Sequence, residues 1–293
     1  MTPDLLVAVP NLSEGRDRGA IDLLGRSFAP ARRLDTHSDA DHGRSVFTLA
    51  APQGELATGL VAGARAAVEL LDLARHSGLH PHVGALDVMP VVYRTEGQRG
   101  AACAEVLAAA GRIGAELELP VILYGELATR PEHRERAELR RGGPAGLAER
   151  IASGAVVPDF GPARAHPSAG VVLAAARPPL VAFNVDLETG DVEVARAIAA
   201  DIRESAAGGL PGVRAIGLYL VDRGRAQVSA NVHDHRATSL RDVVEAVRAH
   251  ASVAEAELVG LAPAAALEGF PGDVALRGFD PRRHVLEEAL RSN

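Results

Sequence analysis

The segment RAIGLYLVDRGRAQVSANVH, residues 214–233, decides the fold of the second half of the chain. Two runs of strand-forming residues, 214–221 and 225–233, flank a turn at 222–224, which predicts a β-hairpin. Apolar and polar residues alternate along the second run, so one face of that strand is polar. The polar face consists of Gln227, Ser229, Asn231 and His233.

The segments on either side of this hairpin add predicted strands and helices that form a known supersecondary pattern. Strands are predicted at 180–185 and 257–261, and helices at 192–204 and 238–250. The order strand, helix, strand, strand, helix, strand is that of a ferredoxin-like unit. A closing helix is predicted at 281–291.

The first half of the chain repeats this order. Its strands are predicted at 5–9, 33–37, 44–49 and 86–92, with a turn at 10–11, and its helices at 17–28 and 55–75. Two more helices, at 98–116 and 132–150, and a strand at 121–124 extend this half. We expect Arg33, Asp35 and His37 to share one face of their strand.

These patterns predict an α+β fold of two ferredoxin-like subdomains, residues 1–177 and 178–293, joined near Pro178-Pro179. Each unit packs its helices on one face of its sheet, so two polar faces can enclose a ligand groove between the sheets. The alternative is that these faces are simply exposed to water, as antiparallel sheets often are.

The acidic character of the chain limits its partners. A formal net charge of −7 argues against nucleic-acid and membrane-surface binding, because both need a basic footprint. The single cysteine, Cys103, excludes an intrachain disulfide and a cysteine-based zinc site. Because the N-terminus has no basic signal region and no apolar run reaches membrane-spanning length, we expect a cytoplasmic protein.

The segment HSGLHPHVGALDV, residues 76–88, holds the strongest candidate for chemistry. Pro81 favours an extended backbone at His80, which places His80 and His82 on the same side. An imidazole with a pKa near ~6.5 can accept and return a proton at neutral pH. His80 is therefore the candidate general acid and base.

Three further segments carry weaker expectations. At 9–16 the amides that open a helix can hold an anion, or Ser13 merely caps that helix. The glycine-rich loop 208–212, which follows Arg203, can close over a ligand or simply end a helix. Segment 131–150 interleaves arginine with glutamate and is expected to be a solvated helix without a function.

Eight segments together resemble the formiminotransferase family, in the family's order and across both halves. They are 9–16, 44–48, 80–88, 123–126, 158–162, 182–185, 202–205 and 227–229. The resemblance implies an enzyme of histidine degradation and one-carbon metabolism that transfers the formimino group of N-formimino-L-glutamate to N5 of tetrahydrofolate. It also implies tetrahydrofolate as a cosubstrate, no metal, and a homodimer with a charged tunnel between the subdomains. Some family members carry a cyclodeaminase domain on the same chain, an activity that we expect here on a separate protein or not at all.

The resemblance implies that His80 is the catalytic residue. The implied substrate- and folate-binding residues are Asn11, His37, Arg44, His82, Gly84, Asp87, Arg203, Gln227, Ser229 and Asn231. Arg44 and Arg203 are the candidates for the substrate carboxylates, which guanidinium groups bind in bidentate fashion. Amide side chains such as Asn11 would hydrogen-bond the pterin or the glutamate.

The chain departs from the family's pattern near His80. Leu79 and His82 stand where the family has Glu and Arg, His37 replaces an acidic residue, and Gly43 replaces Asn. These changes favour a second hypothesis, a diverged relative that binds folate or another anion without catalysis. A third hypothesis is a metal-dependent hydrolase with a histidine cluster as its metal site. That cluster would comprise His37, His42, His80 and His82 with Asp35 or Asp41.

Overall fold

Both halves of the chain have the predicted βαββαβ order in the computed structural model, which describes residues 5–292. The chain divides into two units between Pro178 and Pro179, and each unit has one sheet. The predicted α+β class with two ferredoxin-like units is confirmed. None of the helices in the described residues is both long and apolar enough to cross a membrane.

Within its described residues, 5–178, the first unit contains seven strands in one sheet. They are β1 Leu6–Ala8, β2 Asn11–Leu12, β3 Arg32–Asp39, β4 Arg44–Ala51, β5 Leu86–Val92, β6 Val121–Leu123 and β7 Val172–Arg177. Its helices are α1 Arg18–Ser27, α2 Glu55–Leu70, α3 Glu96–Leu117, α4 Arg136–Leu139 and α5 Gly143–Ala152. The ferredoxin-like part is antiparallel in the order β3-β4-β1-β5, and β2 also lies between β4 and β5. The strands β7 and β6 extend it in parallel beyond β5.

Different helices pack against the two faces of this sheet. Helices α1, α2 and α3 bury the larger apolar core on one face, with Leu24, Phe47 and Leu60 among its fully buried side chains. On the other face a smaller cluster, which includes Val88 and Leu139, lies with α4 and α5. This second cluster contains residues of both β5 and α4.

Several parts of the first unit differ from prediction. Strand β7 was not predicted, because its alanine-rich sequence is buried along its length and lacks the alternation of a half-exposed strand. Asn11, expected in a turn, pairs within β2. The helix predicted at 132–150 is broken, because Gly142 and Gly143 have φ values of 78° and 63°, a left-handed backbone that separates α4 from α5.

A bulge in β3 corrects the predicted orientation of Arg33. Arg33 pairs with Leu49 and Asp35 pairs with Thr48, so β3 has one residue more than β4 at this point. Arg33 therefore shares the helix-covered face with Leu49, whereas Asp35 lies on the opposite face.

The second unit contains a four-stranded antiparallel sheet in the order β11-β8-β10-β9. Its strands are β8 Val181–Leu187, β9 Val213–Leu220, β10 Arg225–Val232 and β11 Val253–Val259. Its helices are α6 Val192–Ile202, α7 Leu240–Arg248, α8 Pro281–His284 and α9 Leu286–Arg291, so the predicted closing helix is broken at Val285. The apolar residues of β10 belong to the core and its polar residues face away, as the alternation predicted.

Candidate active site

A β-bulge aims Asp87 out of its strand and into the interior. Along β5, Val88 pairs with Asn11 and Leu86 pairs with Leu12, which leaves Asp87 as the extra residue. Bulges of this kind redirect a side chain and recur next to active sites. The Asp87 side chain is completely buried, so its charge must be compensated by close partners.

Three groups compensate the Asp87 carboxylate. Its Oδ1 accepts the Val83 amide at 2.8 Å, and its Oδ2 accepts Nη1 of Arg44 at 2.8 Å. The Nη2 of Arg140 contacts the same Oδ2. Burial alone would raise the pKa of Asp87, but Arg140, Arg44 and the amide hold it at about 2. Asp87 is therefore an anion at neutral pH that fixes two guanidinium groups.

Arg44, the first residue of β4, links Asp87 to His80. Its Nε donates to Oδ1 of Asn11 at 2.9 Å, and its Nη1 lies 3.2 Å from Nδ1 of His80. Asn11 is itself held by a hydrogen bond from its Nδ2 to the Val9 carbonyl at 2.7 Å. Burial lowers the pKa of Arg44, while Asp87 opposes that shift. Four predicted site residues, Asn11, Arg44, His80 and Asp87, therefore lie in contact in one cluster.

His80 presents one ring nitrogen to the protein. Its Nδ1 lies 2.9 Å from the Pro81 carbonyl, so a proton on Nδ1 has an acceptor there and Nε2 keeps its lone pair. Arg44 can donate to Nδ1 only in the other tautomer, and the shorter contact favours the carbonyl. Burial and then the charges of Arg44 and Arg140 lower the pKa of His80 well below its usual value. His80 remains partly exposed to solvent. Because its pKa is lowered, the ring is neutral at pH 7.

Two glycines allow the His80 loop to approach the β3–β4 turn. Gly43 has a φ of 62°, and a Cβ atom on it would lie 2.5 Å from the Cα of Gly78. A Cβ on Gly78 would lie 2.3 Å from the His42 carbonyl. This contact stacks the rings of His42 and His80 with centroids 5.9 Å apart. The close contact with Gly78 therefore explains why glycine occupies position 43 in this chain.

His82, Gly84 and His37 lie around the cluster. The Nδ1 of His82 is 3.2 Å from the His80 carbonyl oxygen, and its ring packs edge-on against His76 with centroids 4.2 Å apart. Gly84 accepts a hydrogen bond from Oγ of Ser13 at 2.8 Å. His37 and Asn11 both pair with Val46, from opposite sides of β4, so they share one face of the sheet.

The predicted site residues of the second unit lie around its own sheet. Gln227, Ser229 and Asn231 share the polar face of β10, and Gln227 donates to Oδ1 of Asp186 at 2.7 Å. Asp186 also accepts from Arg223 at 3.2 Å, an acidic centre that the sequence did not reveal. The Nε of Arg203, after α6, donates to the Ala215 carbonyl at 2.7 Å.

Neither alternative for segment 9–16 describes the start of α1. Glu14 accepts the amides of Arg16 and Asp17 at 2.7 and 3.0 Å, so an acidic side chain already occupies them. Asp17 caps the helix by accepting the Ala20 amide at 3.0 Å, which also excludes Ser13 as the cap.

Segment 131–150 is not merely a solvated helix. Arg140 reaches Asp87 with a side chain that is only 8% exposed, and Arg136 lies over the ring of Tyr124 at 5.9 Å from its centroid. Sequence reasoning missed both arginines because they stand among charges that resemble an exposed helix face. The available signal was their spacing of four residues beside the apolar Leu139.

A metal centre has no counterpart in the described residues. No group of three or more His, Cys, Asp or Glu side chains is placed to hold a metal ion within 5–292. The histidines near His80 instead pack against one another as rings.

Comparison with known proteins assigns the chain to a family. The N-terminal subdomain of the formiminotransferase domain matches residues 5–177, and the formiminotransferase domain matches residues 182–269. The chain belongs to the formiminotransferase family. The resemblance seen in the eight segments is confirmed, and the formiminotransferase match includes the whole Asp87 cluster and strand β10.

The formiminotransferase relatives share most of this chain. Glutamate formimidoyltransferase of Streptococcus pyogenes serotype M1 is 38% identical over 98% of both chains. Its namesake from Thermoplasma acidophilum is 36% identical over 98% of this chain and 97% of its own. Formimidoyltransferase-cyclodeaminase of Sus scrofa is 38% identical over 90% of this chain, which covers 51% of that longer protein. This formiminotransferase is a transferase enzyme, and formimino transfer is its class of reaction.

Proposed function

We propose that the chain transfers the formimino group of N-formimino-L-glutamate to N5 of tetrahydrofolate, giving 5-formiminotetrahydrofolate and L-glutamate. Family membership supplies the reaction class. The observation that carries the proposal is the orientation of His80, whose Nδ1 meets the Pro81 carbonyl and whose Nε2 is left to act on substrate. Tetrahydrofolate acts as a cosubstrate, and no metal takes part in the proposed chemistry.

The proposed reaction needs one proton to move twice. N5 attacks the formimino carbon and loses a proton, then the bond from that carbon to the glutamate nitrogen breaks and the nitrogen gains a proton. Nε2 of His80 takes the first proton and returns it in the second step. The lowered pKa suits this cycle, because burial and the neighbouring cations keep the resting imidazole neutral and make its protonated form a stronger acid.

The other proposed site residues position groups or contact substrate, and they take no part in the proton transfer. Arg44 and Asp87 place their charges beside the His80 ring, and Asn11 fixes Arg44. His37, His82 and Gly84 surround this cluster, where we expect contacts to substrate. Much of the rate acceleration would come from holding two substrates in line.

In the second unit, Arg203, Gln227, Ser229 and Asn231 are proposed to bind folate or glutamate groups. Gln227 is already oriented by Asp186, which favours a fixed amide as the hydrogen-bonding group. A homodimer in the cytoplasm completes the proposal.

The test is a transfer assay with both substrates on the wild-type protein, His80→Ala and His250→Ala. We expect turnover in the wild-type protein, a loss of at least ~100-fold in kcat for His80→Ala, and none for the exposed control His250. Tetrahydrofolate binding without any wild-type turnover would overturn the proposal in favour of a diverged binding protein.

A further inference from the structure

The cluster around Asp87 holds more positive charge than it can neutralise. Arg44 and Arg140 both contact the one Asp87 carboxylate. Arg136, four residues before Arg140, lies on the same side of the α4 turn. Within residues 5–292 Arg136 has no carboxylate partner, so the cluster has three guanidinium groups for one carboxylate. An anion is the ligand that such a surplus attracts.

Arg136 is held in a way that leaves its donors available. Its guanidinium carbon lies 5.9 Å from the ring centroid of Tyr124, a side chain that is only 7% exposed. A guanidinium stacked on an aromatic face keeps its edge N–H groups free for a planar acceptor. Arg136 opens the same short helical turn whose end, Arg140, contacts Asp87.

A second observation that points to an anionic ligand concerns the side chain of Arg140. Its Nη2 contacts Asp87, but its buried Nε–H has no hydrogen-bond acceptor in the described part of the chain. A buried donor without an acceptor costs free energy, which a ligand oxygen would recover. Burial lowers the pKa of Arg140 to about 9, so the group is still protonated at neutral pH and able to bind an anion.

We propose that Arg136 and Arg140 bind the α-carboxylate of the amino-acid donor. This inference rests on the proposed function. In N-formimino-L-glutamate the α-carboxylate stands on the same carbon as the reacting nitrogen, so a cation near His80 meets it. The carboxylates of the folate lie beyond its aminobenzoyl group, far from N5. Arg44, whose Nε and Nη1 already donate within the cluster, keeps a positioning role.

Steady-state kinetics of Arg136→Gln, Arg136→Lys and the control Arg141→Gln test this binding site. Arg141 neighbours Arg140, but its side chain is 73% exposed and pairs with Glu138. We expect Arg136→Gln to raise KM for N-formimino-L-glutamate about tenfold or more, while KM for tetrahydrofolate changes less than about twofold. Arg136→Lys should lie between, and Arg141→Gln should match the wild-type protein. A rise in KM for tetrahydrofolate alone, or no change in either KM, would overturn the inference.

Calorimetric binding of L-glutamate separates this inference from the proposed function, because it needs no turnover. We expect Arg136→Gln to weaken glutamate binding about tenfold or more, with Arg141→Gln unchanged. If the wild-type protein lacks transfer activity but this loss of binding is seen, the proposed function fails and the carboxylate site stands. If the wild-type protein binds no L-glutamate, or Arg136→Gln binds it equally well, the carboxylate site is refuted.

Discussion

Asp87 determines the electrostatics of the first unit at the scale of single residues. Its buried carboxylate is the common partner of Arg44 and Arg140, and both guanidinium groups act on His80. Without that anion, two cations would stand next to each other in the interior. A buried ion pair contributes little net stability as a whole, but the loss of one partner leaves an uncompensated charge.

Replacement of Asp87 by Asn should therefore destabilise the protein by about 3–5 kcal/mol. Urea unfolding followed by circular dichroism measures this loss. The matched control is Asp273→Asn, because Asp273 pairs with Arg248 at the surface, where its side chain is 73% exposed. The control should lose far less stability, since water screens exposed pairs. Equal losses in the two variants would contradict the role given to Asp87.

The pH dependence of kcat/KM should report the lowered pKa of His80. The neutral ring is the active form, so activity is complete above the pKa and falls as pH drops through it. Because burial and then the nearby cations lower that pKa well below 6.5, the decline should begin on the acid side of 6.5. Arg140→Gln removes one cation and should move the decline to higher pH, whereas Arg141→Gln should not. A decline at the same pH in Arg140→Gln and the wild-type protein would argue against electrostatic control by Arg140.

At the scale of elements, sequence periodicity located the strands and helices that form the ferredoxin-like units. The strand predicted at 86–92 has the bounds of β5, and the helix predicted at 17–28 contains α1 between Asp17 and Phe28. Periodicity could not reveal the bulge at Asp87, because a bulge depends on the register of two strands distant in sequence. For the same reason it could not show that Arg140 reaches Asp87 across 53 residues of sequence.

Just before the start of β5, the backbone at Gly84 lies close to the backbone at Val171. Glycine at position 84 permits this close approach. A Cβ atom on Gly84 would lie 2.2 Å from the Val171 carbonyl oxygen and 2.7 Å from that of Leu86. Gly84→Ala should therefore destabilise the protein by roughly 1–3 kcal/mol and reduce activity. The control is Gly100→Ala in α3, where open space surrounds the added Cβ and Ala should stabilise by roughly 0.5–1 kcal/mol. Thermal unfolding measures both, and a neutral Gly84→Ala would disprove the close approach.

At the scale of the whole molecule, each unit has a core of its own. The clusters with Leu24 and with Val88 lie entirely before residue 178, and the cluster with Phe183 lies entirely after it. The hydrophobic patterns of the two halves allowed this repeat to be predicted. The added strands β6 and β7 were harder, since short, fully buried parallel strands lack a period-two pattern.

Residues 1–178 expressed alone should fold, because their sheet and both apolar clusters are included. We expect a single cooperative urea transition by circular dichroism and dispersed amide resonances in the nuclear magnetic resonance spectrum. A broad, non-cooperative transition with poor dispersion would show that this unit depends on residues 179–293 for its fold.

Chemical rescue of His80→Gly by imidazole tests the central claim most directly. If Nε2 of His80 carries the proton between N5 and the leaving nitrogen, the variant should lose at least ~100-fold in kcat. Added imidazole should then restore formimino transfer in proportion to its neutral form, while leaving the wild-type rate unchanged. Transfer by His80→Gly at the wild-type rate without imidazole would contradict the account.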